Sequence, residues 1–141
     1  MDKELEQLVD RLRDIRKETQ AILSDLTPEE LNLTWQGEGY LRGRTIRQIL
    51  QGMADHERDH LYHLFRARVR VGLRRTELNR YLGDLEAARA DLLGNLLGIG
   101  DEKLDQEWEA GEWTIRQIVS HMGDVEEEYR NRIQTIRGRQ T

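Results

Sequence analysis

The chain has 141 residues, 22 Lys and Arg against 27 Asp and Glu, and no cysteine. That length suits one domain over residues 1–141, and the missing cysteine excludes disulfides, thiolate metal ligands and a cysteine nucleophile. A net charge of −5 and a pI near 5.4 argue against a dedicated nucleic-acid surface, which needs net or strongly local positive charge.

One proline, one Phe and an abundance of Leu, Arg and Glu point to an all-α protein. The start, Met1–Gln7 (MDKELEQ), is charged and helical in character, unlike a signal peptide. No apolar run approaches the roughly 20 residues that span a bilayer. The expectation is a soluble, cytoplasmic protein with no membrane or nucleic-acid partner.

Leu5, Leu8, Leu12, Ile15, Thr19, Ile22 and Leu26 alternate spacings of three and four, one stripe on a helix from about Asp2 to Asp25. Thr27-Pro-Glu-Glu30 then offers an N-cap, a proline at the first helical position and a Glu three residues after the cap. This predicts a short helix over Leu31–Trp35. Residues 36–44 hold three glycines and read as loop. A second long helix starts near Thr45 and ends between Arg66 and Val71, with Ile46, Ile49, Leu50, Met53, Leu61, Leu64 and Phe65 at helical spacing. The basic run Arg66, Arg68, Arg70, Arg74 and Arg75 reads as a solvated linker or partner contact. A third helix runs from about Thr76 until Gly98 and Gly100 break it. After a capped turn ending at Trp108, the last helix carries Ile115, Ile118, Val119, Met122, Val125, Tyr129, Ile133 and Ile136 and frays at Gly138.

The second helix has an echo. Residues 45–60 (TIRQILQGMADHERDH) and 114–129 (TIRQIVSHMGDVEEEY) share Thr, Ile, Arg, Gln, Ile, Met, Asp and Glu at eight matching positions. Residues 26–35 and 99–108 match as well, each a capped turn ending in Trp. The chain therefore reads as an internally duplicated αα-hairpin, about 2–66 and 76–138, forming a four-helix bundle with pseudo-twofold symmetry. Helices 2 and 3 run antiparallel through a tight turn, or parallel if Ala67–Thr76 extends to about 30 Å at roughly 3.3 Å per residue.

All four histidines lie in or beside the two echoing segments: His56, His60 and His63 on the first, His121 on the second. At 100° per residue His60 falls near the apolar centre of its helix, with His56 and His63 on one flank. Imidazoles one turn apart can share a metal ion, and a ligand from a facing helix completes an open site. Zn²⁺, Ni²⁺ and Fe²⁺ all suit nitrogen ligands. The competing reading makes the histidines amphipathic surface residues bonded to Asp55, Glu57 or Glu126, with no metal. His56–His60 also spells the HExxH of zinc peptidases, but Arg58 and Asp59 stand where such helices are apolar, and no strand is available to hold a peptide. Glu57 and Glu126 occupy equivalent positions, as partners of the histidines or of Arg47, Arg116 or Arg130. Trp35, Trp108 and Trp113 read as plugs at the ends of the bundle, with Trp113 or Tyr40 as an alternative pocket mouth.

The pattern TIRQI-hydrophobic-x-His/Gly-Met-x-Asp after a Trp-containing loop, with HxxxH on a bundle helix, resembles the DinB-like superfamily over nearly the whole chain. The resemblance implies a four-helix bundle of up-down-down-up course and a divalent metal held by three histidines. It also implies metal-dependent transfer or isomerisation with low-molecular-weight thiols, or hydrolysis, and often a homodimer. The family's ligand positions fall here on Gly52, Val125 and Tyr129, none of them histidine. The mirror arrangement is present instead, with the pair His56/His60 on helix 2 and His121 on helix 4. The expectation is a metal site of His56, His60 and His121, with Glu57 or Glu126 orienting ligands or moving protons. The alternative is a non-catalytic helical interaction or sensing module with structural histidines.

Overall fold

A computed structural model describes residues 2–138, and among these the chain is all-α. Its helices are α1 (Lys3–Leu23), α2 (Ile46–Arg70), α3 (Glu77–Leu96) and α4 (Ile115–Gly138), with 3-10 turns at Glu30–Asn32 and Asp101–Lys103. The predicted long helices are all present, close to the predicted bounds. The domain ends Met1 and Arg139–Thr141 lie outside the described residues. The chain forms two compact units, one ending at Leu93 and the other beginning at Gly94, so that α3 passes from one into the other.

Helix starts are set by reciprocal caps. Thr45 accepts from the amide of Gln48 (3.2 Å) while Gln48 Oε1 accepts from the amide of Thr45 (3.0 Å), closing a capping box ahead of α2. Thr76 with Asn79 and Thr114 with Gln117 repeat the exchange ahead of α3 and α4. At the far end of α2, Arg68 and Arg70 sit in the last turn, where cations suit the helix dipole. Gly72 follows at φ 77°, and Gly98 stops the chain beyond α3 at φ 80°.

Thr27 and Glu30 also exchange cap hydrogen bonds, yet no helix follows over Leu31–Trp35. The turn ends at Asn32 because Leu33 is extended (φ −65°, ψ 142°) and Thr34 pairs with Thr45 in an antiparallel bridge. Trp35 and Arg44, Gly43 and Trp35, and Ile46 and Leu33 are joined by backbone hydrogen bonds of 2.9 Å. Those bonds hold residues 36–44 as a closed loop over the start of α2.

In each unit a group of half-buried apolar residues gathers where a 3-10 turn meets the following helix, Leu31, Leu41, Ile46, Ile49 and Leu50 in the first and Ile99, Leu104 and Ile115 in the second. Val9 and Leu23 on α1, Leu92 and Leu96 on α3 and Val125 on α4 are shielded to a similar degree. The long stripes are more open than their periodicity predicts. Leu8, Leu12 and Ile22 on α1 are 59%, 70% and 76% exposed. Polar side chains join the helices of the first unit: Arg13 of α1 reaches Glu86 of α3 (3.0 Å), and Arg16 reaches Glu57 of α2 (2.5 Å).

Candidate functional site

Three imidazoles form a chain along α2. His56 Nε2 and His60 Nε2 are 3.1 Å apart, and His60 Nδ1 and His63 Nδ1 are 3.3 Å apart. The ring pairs meet edge to face, at centroid distances of 4.4 and 5.1 Å. Spacings of four and three put the rings on one face of the helix, and all three are exposed. They bond one another, while two of the carboxylates considered for them face arginines. Asp55 pairs with Arg58 at 2.9 Å, and Glu57 with Arg16.

Next to His56 lies a cleft of about 340 Å³, between the loop residues Tyr40, Leu41 and Arg44 and the α2 residues Gln48, Gly52 and Met53. Tyr40 stands at its rim, 92% exposed. The cleft exists because the Thr34–Thr45 bridge folds the glycine-rich loop back onto the first turns of α2. A Cβ at Gly52 would meet nothing within 4 Å, so the position is open to the cleft.

The distance between the His56 and His60 nitrogens can be compared with that of two ligands sharing an ion. Two nitrogens about 2.0–2.1 Å from one metal stand roughly 2.9–3.4 Å apart at octahedral or tetrahedral angles, and the observed separation falls inside that range. Among the described residues, no group of three or more His, Asp or Glu side chains is gathered as a metal cluster. His121 belongs to the second unit, on α4, where its ring meets Trp113 edge to face at 4.5 Å. Glu126 lies further along the same helix.

The tryptophans act as staples for loops, not as buried plugs. Trp35 Nε1 donates to the Glu38 carbonyl (3.2 Å) and Trp108 Nε1 to the Trp113 carbonyl (2.8 Å). Both rings are half exposed, at 50% and 59%. In the second unit Ile99, Lys103, Trp108, Ile115 and Ile118 line a further cleft of about 600 Å³.

The strongest ion pair of the second unit was not among the expected partners. Arg116 donates Nε to Asp105 Oδ1 (2.7 Å) and Nη2 to Oδ2 (2.9 Å), a two-pronged contact. Those hydrogen bonds hold the Asp105 carboxyl below the usual 3.8, and the same contact raises Arg116. The echo carries a weaker counterpart in the first unit. Asn32 and Arg47 hold the matching positions, and Arg47 Nη2 approaches Asn32 Oδ1 at 3.4 Å.

No curated protein and no solved structure matches the chain. The sequence profile of the DinB superfamily matches residues 1–64 and 84–141, most of its length, leaving out the end of α2, the basic connection and the start of α3. With four helices, no strand among the described residues and that match, the chain belongs to the DinB superfamily.

Proposed function

We propose that this protein is a metal-dependent enzyme of the thiol-transferase or hydrolase type, acting in the cytoplasm as a homodimer. His56 and His60 hold a divalent ion, Zn²⁺, Ni²⁺ or Fe²⁺. The observation that carries this reading is the approach of two imidazole nitrogens to 3.1 Å beside an open cleft. A bound ion lowers the pKa of a thiol or water that reaches it. The cleft beside His56 admits a small molecule, such as a low-molecular-weight thiol, past Tyr40 and Arg44. Glu57, held by Arg16, is the carboxylate that orients ligands or carries a proton.

Tag-free protein should carry one divalent ion per chain by elemental analysis, and His56→Ala and His60→Ala should each lose it. Added Zn²⁺ at a hundred times its Kd should stabilise the fold by about 2.7 kcal/mol, because the site exists only in the native state. An unchanged melting temperature with Zn²⁺ and Ni²⁺, together with metal-free protein, would sink the proposal. The mutual hydrogen bonding of His56, His60 and His63 favours a second reading in that event, a non-catalytic helical module whose histidines satisfy one another.

A further inference from the structure

We infer that His63 is a positioning residue: it accepts the Nδ1–H of His60 and so frees the Nε2 lone pair of His60 for a metal ion. The inference rests on the metal reading of His56 and His60. His60 is the middle ring of the chain, and its two nitrogens face different neighbours, Nε2 toward His56 and Nδ1 toward His63. A neutral imidazole carries one proton, so one nitrogen donates and the other accepts. With the proton on Nε2, the atom facing His56 has no lone pair to give. With the proton on Nδ1, the hydrogen points at His63 Nδ1, 3.3 Å away, and Nε2 is bare. An ion between His56 and His60 is compatible only with the second arrangement.

The partner of His60 Nδ1 is His63, while Asp55 is engaged by Arg58 and Glu57 by Arg16. His63 is therefore the group that fixes which nitrogen of His60 is available. Losing such an outer partner typically costs about 10–100-fold in metal affinity. The role also explains a third imidazole that neither expected ligand set includes.

The test is a Zn²⁺ titration of the tag-free protein against a chromophoric chelator, with nitrogen-resolved NMR of the histidine rings in the zinc-bound form. The variants are His63→Ala, His63→Asn and His56→Ala, each checked for helical circular dichroism. His63→Ala should weaken Zn²⁺ by about 10–100-fold and remove the protected Nδ1–H signal of His60. His63→Asn sets a carbonyl oxygen near the position of Nδ1 and should restore most of the affinity and the signal. Native-like affinity in His63→Ala, alongside its loss in His56→Ala, would overturn the positioning role and leave the metal reading standing. Native protein that binds no Zn²⁺ removes both.

Discussion

Asp105 shows how a single contact sets a titration. Two hydrogen bonds from one guanidinium favour the carboxylate over the acid, so its folded pKa lies below the ordinary 3.8. A depressed folded value stabilises the native state above the unfolded pKa, and that contribution is lost as pH falls through the folded one. Arg116→Gln should return the Asp105 titration, followed by carboxyl NMR, toward 3.8 and abolish its share of the acid sensitivity below that pH. An unmoved titration in the variant would show that Arg116 is not the cause. This contact escaped a reading of helical spacing because its partners lie eleven residues apart, across a loop. The histidine chain was readable, since spacings of four and three on one helix guarantee neighbouring rings. What spacing could not supply was the rotamers, which turned the rings toward one another and away from Asp55 and Glu57.

Helix α1 was readable from its apolar period alone, and α2 to α4 because period and cap chemistry agree, as at Thr45 with Gln48 and Thr114 with Gln117. The turn after Thr27 had the cap without the period. Seven residues between Pro28 and the glycine-rich loop are too few to offset helix nucleation, and beyond the 3-10 turn Leu33 and Thr34 are drawn into extended structure by the Thr34–Thr45 bridge instead. Gly52 is the exception inside α2. It occupies a helical position with open space around its missing Cβ, and glycine there costs roughly 0.5–1 kcal/mol relative to alanine. Gly52→Ala should therefore raise stability in urea by about that amount with an unchanged m-value. A loss instead would mean that the cleft wall needs the bare backbone.

The whole molecule raises a different question, because its apolar stripes are periodic and yet exposed. Leu8 and Leu12 on α1, Leu64 and Phe65 on α2, Leu82 and Leu85 on α3, and Ile133 and Ile136 on α4 are each between half and three-quarters exposed. Contacts such as Arg13–Glu86 and Arg16–Glu57 are solvent-exposed ion pairs, of a kind worth about 0.2–1 kcal/mol each. They do not hold helices together against the backbone entropy of roughly 1–2 kcal/mol per ordered residue. Burying one Leu or Phe side chain contributes about 1.5–3 kcal/mol, a contribution the stripes make only where they are covered. Contiguous apolar faces of this kind mark packing surfaces, so these faces should be covered in water. Covered stripes have a calorimetric signature, because their exposure on unfolding raises the heat capacity. At about 12–15 cal/mol/K per residue, the chain of 141 residues should unfold with a ΔCp of about 1.7–2.1 kcal/mol/K. Homodimer formation should add a melting temperature that rises with protein concentration. A ΔCp far below that range would mean that the stripes stay open in solution, and a concentration-independent melt with the full ΔCp would assign their cover to a single chain.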